Sequence, residues 1–513
     1  MDILNNTNMF AVGEMFPPQI HKKRIDRYRM NKKIFEGHHY EAFNKNFGGT
    51  ERAKELLYIS VNLAGIICKK SADFLFGEDV KVLAGNGDGS KEQLAFDRFV
   101  EENHLNISLY ESALSNSYTG DAFFKVRYGQ EYNGQLPAEI DQPRVIIDTL
   151  DPCTVFVEVF PWDKKKVKKY HIAVPYYDSD KEQWFLAVES HTAGKIEYNK
   201  YTISPMTWDN VNLPTSYSIT GVVEGESYEV ATGVNIPLVV HIPNFGTVED
   251  WNGIDDLSEL CPMLDELNNR LSQVASILDK HSDPAMAVPS GLLEADGDGN
   301  VNFHVAVDKV FEVMGKDDVI PQYITWDGQL ENAFTEIDKL VDNILTIAEI
   351  PSVALGKSDS GTSGSSGLSI KWRMNSLLSK VNRKRQYYAK GLKQIFYIAQ
   401  ALETALEIAD YEITIPVLHF NDGLPQDAME QANIMQIRTG GAKTLSQKSA
   451  IMLLNNFTEE QAEQEIERIN NEDAVDMVDP NFMNNEQYIL ENSDLPASPL
   501  PVAKLNESEK IAE

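Results

Sequence analysis

The sequence predicts an α+β fold, and three observations carry that reading. Residues 121–245 contain short β-branched and aromatic runs (AFFKVRY, RVIIDTL, TVFVEVF, KKYHIAVPYY, WFLAVES, IPLVVHIP) separated by turn formers at strand-like intervals. Apolar residues at helical spacing lie on both sides of that block. Residues 368–409 keep one apolar stripe over about 40 positions, a helix of ~60 Å at 1.5 Å per residue. With 513 residues and 42% hydrophobic content, the chain can fill roughly two to four domains with real cores.

In chain order, residues 1–50 are polar and mixed, and the basic run HKKRIDRYR (21–29) reads as a solvated helix face. A helix is expected over 52–75, from Leu56, Ile59, Leu63, Ile66 and Ile67, with Gly77 as its stop. AGNGDGSK (84–91) forms a turn before a second helix over 92–102. After the β-rich block, Leu257, Leu260, Leu264, Leu267, Leu271, Val274 and Leu278 alternate spacings of three and four, a seam that suits packing against another helix. Pro262 inside it should kink the first turns or mark the true start. Residues 284–329 are strand-like again. Phe334, Ile337, Val341, Ile344 and Ala348 then line a third helix, with Thr335 as a candidate cap and Pro351 as its stop.

GKSDSGTSGSSG (356–367) is rich enough in Gly and Ser to predict a mobile loop. The long helix follows, its stripe running from Ile370 through Met374, Leu377, Val381, Tyr388, Leu392, Ile395, Ala399 and Leu402 to Leu406. A short strand (YEITIPVLHF) and further helices continue to residue 472. Residues 472–513 hold ten acids against two lysines and are expected to be a disordered tail.

Composition excludes several classes. Lys and Arg number 46 and Asp and Glu 78, for a net charge of −32, which argues against an extended nucleic-acid-gripping surface. The three cysteines, Cys68, Cys153 and Cys261, lie far apart with no metal-ligand spacing, as expected of reduced thiols. No signal peptide is visible, and no apolar run approaches the ~20 residues of a membrane span. A P-loop is absent, and GNGDG lacks the third glycine and the setting of a dinucleotide fingerprint. DGDGN (296–300) begins like a calcium loop, but Val301 and Val307 stand where glycine and glutamate are needed, so a hairpin turn is expected. His38 and His39 read as exposed loop histidines, and acid pairs such as Asp255–Asp256 are too common here to be catalytic dyads. The expectation is a non-enzymatic protein without cofactor or metal.

One local inversion of charge stands out. Asp359 and Glu403 bracket 43 residues without a single acid, a gap that independent placement gives at a set position about once in a thousand. Lys371, Arg373, Lys380, Arg383, Lys384, Arg385, Lys390 and Lys393 lie within it. Most point away from the apolar stripe, whereas Arg385 falls at its edge and could pair with an acid across a packing interface. Two explanations weigh equally on the residues alone: the basic helix packs against the acidic remainder of the chain or of a neighbour, or it touches a polyanion.

Four stretches, taken in order, carry a resemblance: LLYISVNLAGIICKKSADFLFGE (56–78), HIPNFG…DLSELCPMLDELNNRLS (241–272), IPSVALG…SGSSGLSIKWRMNSLLSKVNRKR (350–385) and FNDGLPQDAMEQANIMQIRTGGAKTLSQKSAIMLL (420–454). They resemble the portal proteins of tailed bacteriophages, particularly of siphophages that infect Gram-positive bacteria. The resemblance implies a homo-oligomeric ring, dodecameric in relatives, at one capsid vertex, packaging and later ejecting double-stranded DNA. It implies these parts: an N-terminal segment 1–50, a wing 51–254, stem helices 255–281 and 332–350, and a clip 282–331. A tunnel loop 351–367, a long wing helix and strand 368–425, a crown 426–471 and the tail 472–513 complete it. Implied partners are the terminase large subunit, the major capsid and scaffolding proteins and a head-completion adaptor, with no membrane. Candidate DNA contacts are Lys357, Ser358, Ser360, Lys371, Arg373, Lys380, Arg383 and Lys384; the stem would pack through the seam from Leu257 to Leu278 against Ile337, Val341 and Ile344. Another virion assembly protein (a scaffold or head-tail adaptor) and a packaging ATPase are the alternatives.

Overall fold

A computed structural model describes residues 9–43, 58–85, 89–132, 134–137, 139–208, 213–282, 330–356, 367–421, 423, 428–441, 443–455, 457 and 459–476, with the strand segments 286–287, 293–295, 301–303 and 322–323. Helix accounts for 46% and strand for 24%, the expected α+β mixture. The chain divides into two units, Met1–Gln426 and Asp427–Glu513.

The first unit opens with β1 (Met15–Phe16), α1 (Gln19–Phe35) and the single-turn α2 (His39–Ala42). The basic run 21–29 is not a fully solvated face: His21, Arg24 and Tyr28 are buried on one side of α1. Arg24 donates to the carbonyls of Pro152 and Val155, at 3.3 and 2.7 Å, which is how a cation is tolerated there. His39 is also buried rather than an exposed loop residue.

α3 (Leu63–Phe76) is shorter than the apolar spacing predicts. Asn62 caps it by accepting from the Gly65 N–H at 2.8 Å, so the helix cannot extend back to Ile59, and residues 51–57, Leu56 among them, lie outside the described residues. β2 (Lys81–Leu83), α4 (Lys91–Glu102) and α5 (Leu105–Thr119) follow. α4 matches expectation, with Ser90 as its cap. No element was foreseen at α5, because its buried side includes the polar Ser112, Asn116 and Ser117, which blunts the apolar periodicity.

β3 (Asp121–Gly129) serves two cores through the period-two alternation of a strand. Ala122, Phe124 and Val126 face the helices, while Phe123 packs with Val155, Tyr170 and Val239. It pairs antiparallel with β4 (Arg144–Leu150) and β11 (Val239–Pro243). Between them, β5 (Val155–Phe160), β6 (Asp163–Asp178), β7 (Gln183–Thr192), β8 (Lys195–Trp208) and β9 (Pro214–Val222) form an antiparallel sheet ordered β1-β9-β8-β7-β6-β5, with β10 (Tyr228–Ala231) paired to β8. Phe10, Phe16, Tyr28, Phe156, Leu186 and Tyr201 fill one face of it, so the N-terminal segment is part of the core.

α6 (Cys261–Ser282) and α7 (Leu330–Ile347) pack against each other. Leu257 and Leu260 of the seam lie before α6 begins, and Pro262 falls in its first turn. Leu264, Leu267 and Val274 are buried, Leu271 is half-buried, and Leu278 is 49% exposed, so the seam is covered over its first part only. On α7, Ile337 and Ile344 are buried, Val341 is half-buried and Phe334 is exposed. Thr335 is no cap: the helix starts five residues earlier, and its hydroxyl donates to the Glu331 carbonyl at 2.8 Å. Between α6 and α7, Met286–Ala287 pairs antiparallel with Gln322–Tyr323, and Leu293–Ala295 with Val301–Phe303; the expected turn at 296–300 lies outside the described residues.

The long helix is two helices, α8 (Gly367–Arg373) and α9 (Asn375–Ala405), interrupted at Met374. Glu407 in the left-handed region, at φ 57°, prevents continuation to 409. α9 crosses β11 so closely that a Cβ on Gly391 would collide with the Ile242 side chain. Of YEITIPVLHF, only Val417–His419 forms a strand, paired with β2. The second unit holds α10 (Ala428–Thr439), α11 (Gln447–Asn455) and α12 (Glu459–Asp476), the last running past 472.

This packing separates two seam positions. Leu267→Asp places a carboxylate where a leucine is fully buried and should cost more than about 3 kcal/mol. Leu278→Asp should change protomer stability by no more than about 0.5 kcal/mol. Equal thermal melts for the two variants would contradict the α6–α7 packing.

Candidate functional site

The acid-free stretch meets its counter-charges at the root of α9. Lys380 and Lys384 are four residues apart, so both project from one face of the helix. Between them lies Asp256, which arrives on the segment leading into α6. Lys380 Nζ is 3.0 Å from one Asp256 oxygen and Lys384 Nζ 2.5 Å from the other. The Ser117 hydroxyl donates to Asp256 as well. Lys384 also donates to Ser71 Oγ at 2.6 Å, and Lys380 to the Ala348 carbonyl at 3.0 Å. One carboxylate thus joins α9 to α5, to α3, to the start of α6 and to the end of α7.

Burial raises the proton affinity of Asp256, but the two ammonium groups outweigh it and hold the carboxyl well below its usual range. Burial pulls Lys384 down to about 8, with Asp256 opposing. The Phe245 ring adds a face for the cations, 5.7 Å from the Arg383 guanidinium carbon and 5.2 Å from Lys384 Nζ. Arg383 turns outward and grips both carboxylate oxygens of Glu349, at 2.5 and 2.7 Å. Glu349 sits at φ 59°, a left-handed residue just past the end of α7. Arg385 donates to the carbonyls of Phe74 and Asn421.

A second buried carboxylate fixes the segment that delivers Asp256. Asp121 accepts from the Tyr28 hydroxyl and the Gly253 N–H (2.7 Å) and faces His241 Nε2 at 2.6 Å. Asp255 divides its role from Asp256: it accepts the N–H groups of Leu257 and Ser258 at 2.9 and 2.6 Å, closing the turn before α6. Farther along α6, Asn268 donates to His39 Nδ1 at 2.7 Å, a contact that no sequence motif signals.

A family model described as phage portal protein, SPP1 Gp6-like, matches residues 17–477. The chain belongs to that family. It is a virion portal protein, a component of the DNA channel, and portal proteins assemble as homo-oligomeric rings with DNA, capsid and terminase as their general partners. Their place is the capsid vertex. No curated protein matches the chain.

For a portal protein, the sequence-derived DNA contacts divide sharply. Lys380 and Lys384 are 4% and 2% exposed, and with Asp256 between them they cannot offer their charge to phosphate; both assignments are corrected. Arg383 is exposed but engaged by Glu349. Lys371 is exposed and Arg373 half-buried on α8. Lys357, Ser358 and Ser360 lie outside the described residues. Among the described residues no helix is long and apolar enough to cross a membrane, and no group of three His, Cys, Asp or Glu side chains could hold a metal ion.

Replacing Asp256 by Asn leaves two buried ammonium groups without their anion, which should cost about 3–5 kcal/mol. Adding Lys384→Met to Asp256→Asn should recover part of that loss. The alkaline response has a definite sign. A lysine whose folded pKa lies below its unfolded value opposes folding while charged, so that cost falls as pH rises from about 8 toward 10.5. Denaturant titrations should show this slope in wild type and a smaller one in Lys384→Met. An Asp256→Asn variant with unchanged stability would refute the charge knot.

Proposed function

We propose that the Asp256 knot is the fixed root from which a DNA-contacting loop is held in the channel of a twelve-subunit ring. The observation that carries this is the bracketing of residues 351–367. On the α7 side lie Ala348 and Glu349; on the α9 side lie Lys380 and Arg383, and the two sides are tied by the Lys380–carbonyl bond and by Arg383 Nη2 donating to the Glu349 carboxylate. The chain between these ties returns to its own starting point.

In this reading 51–254 form the wing, 255–281 and 332–350 the stem, 282–331 the clip, 351–367 the tunnel loop and 368–425 the long helix with its strand. Residues 426–471 form the crown, a boundary supported by the start of the second unit at Asp427. The clip would meet the terminase large subunit during packaging and a head-completion protein afterwards. Capsid and scaffolding proteins would hold the ring at its vertex. A net charge of −32 suits a conduit, because a phosphate backbone slides past acidic walls without sticking. Lys357, Ser358 and Ser360, with Lys371 and Arg373 behind them, would make the brief contacts, as point charges and hydroxyls that read no sequence. Lys380 and Lys384 would act one step back, by holding the root.

Electron microscopy of the purified protein should show rings with a central hole. Gly361→Pro with Gly364→Pro should leave the rings intact yet impair genome packaging, because it removes backbone freedom from the loop. Lys357→Glu should weaken DNA passage or retention regardless of DNA sequence. Normal packaging and retention in both variants would reduce 351–367 to a linker. Deletion of residues 289–317 should preserve the ring and abolish terminase binding; motor capture by the deleted ring would refute the clip assignment.

A further inference from the structure

The β5–β6 hairpin presents a concentration of positive charge that the loop and its root do not use. β5 is the edge strand of the large sheet, and β6 pairs with β7 only from Tyr170 onward. Residues 158–169 therefore extend as a two-stranded ribbon, turning at Pro161 and Trp162. Val159 and Val167 seat its base on the cluster that holds Val157 and Tyr170. The register then jumps from Val159↔Val167 to Phe160↔Asp163, so Lys164, Lys165 and Lys166 bulge out with no partner on β5.

Five lysines (164, 165, 166, 168 and 169) stand against Glu158 and Asp163 in this ribbon, a local charge of +3 in a chain of −32. Lys164, Lys165, Lys166 and Lys168 are exposed. Lys166 is 3.6 Å from Asp163, Lys168 2.7 Å from Glu158 and Lys169 3.7 Å from Glu197. Surface pairs of this kind contribute under about 1 kcal/mol and exchange readily for another anion. Trp162 at the turn is 77% exposed, its ring 5.1 Å from that of Phe160. Lysines alone would serve to keep a sheet edge from pairing with another chain. A bare indole among them works against that purpose.

We propose that this ribbon is a second, sequence-independent contact for the backbone of duplex DNA, separate from the 351–373 segment. Lysines on both faces and in the bulge present cations whichever way a polyanion approaches. A two-stranded ribbon fits the ~12 Å major groove, and phosphate contacts from lysine carry no sequence information. Trp162 would lie against sugar or an exposed base edge. An acidic protein partner is the weaker fit, since a stable protein interface takes about 800 Å² from each side and this tip is one narrow turn.

The test uses the full-length, ring-forming protein and a mixed-sequence duplex of about 20 base pairs at stepwise salt concentrations. Replacing Lys164, Lys165, Lys166 and Lys168 together by Gln should lower affinity and reduce the slope of log K against log salt by about 3.6, near 0.9 for each phosphate no longer neutralised. Trp162→Ala should weaken binding about fivefold with the slope unchanged. Lys22→Gln with Lys23→Gln, exposed on α1, should leave both quantities as in wild type. Thermal melts should be the same throughout. Unchanged affinity and slope in the four-lysine variant would overturn the proposal, and so would an equal loss in the α1 control. Ring formation, scored separately by microscopy, keeps a failure of the channel assignment distinct from a failure of the ribbon.

Discussion

A single buried carboxylate, Asp256, shared by two lysines one helical turn apart, is the constraint on which the packing of α9 against its neighbours depends. Removing three charged groups from water is expensive, and the several partners that each group finds offset that cost only in part, since burial still disfavours the charge on Lys384. Asp256 takes Lys380, Lys384 and the Ser117 hydroxyl. The lysines divide the remaining acceptors, Ser71 and the Ala348 carbonyl. One net positive charge remains, and it lies against the carbonyl end of α7, where the helix dipole is negative. The arrangement has one geometry in which all members are satisfied, and so it fixes α9 against the start of α6 and the end of α7 together.

That knot would have no fixed position without a second one. Residues 244–256 carry Asp256 into place, and they are pinned from the other side by Asp121, held between Tyr28, His241 and the Gly253 N–H. The approach is so close that a Cβ on Gly253 would collide with the Gly120 carbonyl oxygen. Strand, loop and helix therefore share backbone contact at a site where only glycine fits. Two buried carboxylates in series link the N-terminal helix, the small sheet, α6, α7 and α9 into one body. A portal subunit needs such a body behind any segment that meets a moving polyanion, because brief contacts at a channel wall are useful only if the wall stays where it is.

Much of this was legible in the residues, for identifiable reasons. The β-rich block, the seam of α6 and the faces of α4 and α7 follow from periodicity, which is local. The family was legible in four stretches taken in order. Errors fall where a buried polar group stands in for an apolar one. α5 was missed because Ser112, Asn116 and Ser117 occupy its inner side, and α1 was read as solvated because Arg24 is buried by donating to carbonyls that lie 128 and 131 residues away. The start of α3 was misplaced because apolar spacing continued past the Asn62 cap.

The acid-free stretch marks the division most clearly. Its composition determined by itself that 43 consecutive residues would carry only positive charge in an acidic chain. Composition and periodicity could not say which of those cations face solvent. That was decided by tertiary structure, which brings Asp256 to Lys384 across 128 residues of chain and Glu349 to Arg383 across 34. Charge is a property of the residue, whereas its availability to a ligand depends on which counter-charge the fold buries beside it, and Coulomb attraction at close range in a dry site outweighs anything an outside phosphate could offer through water.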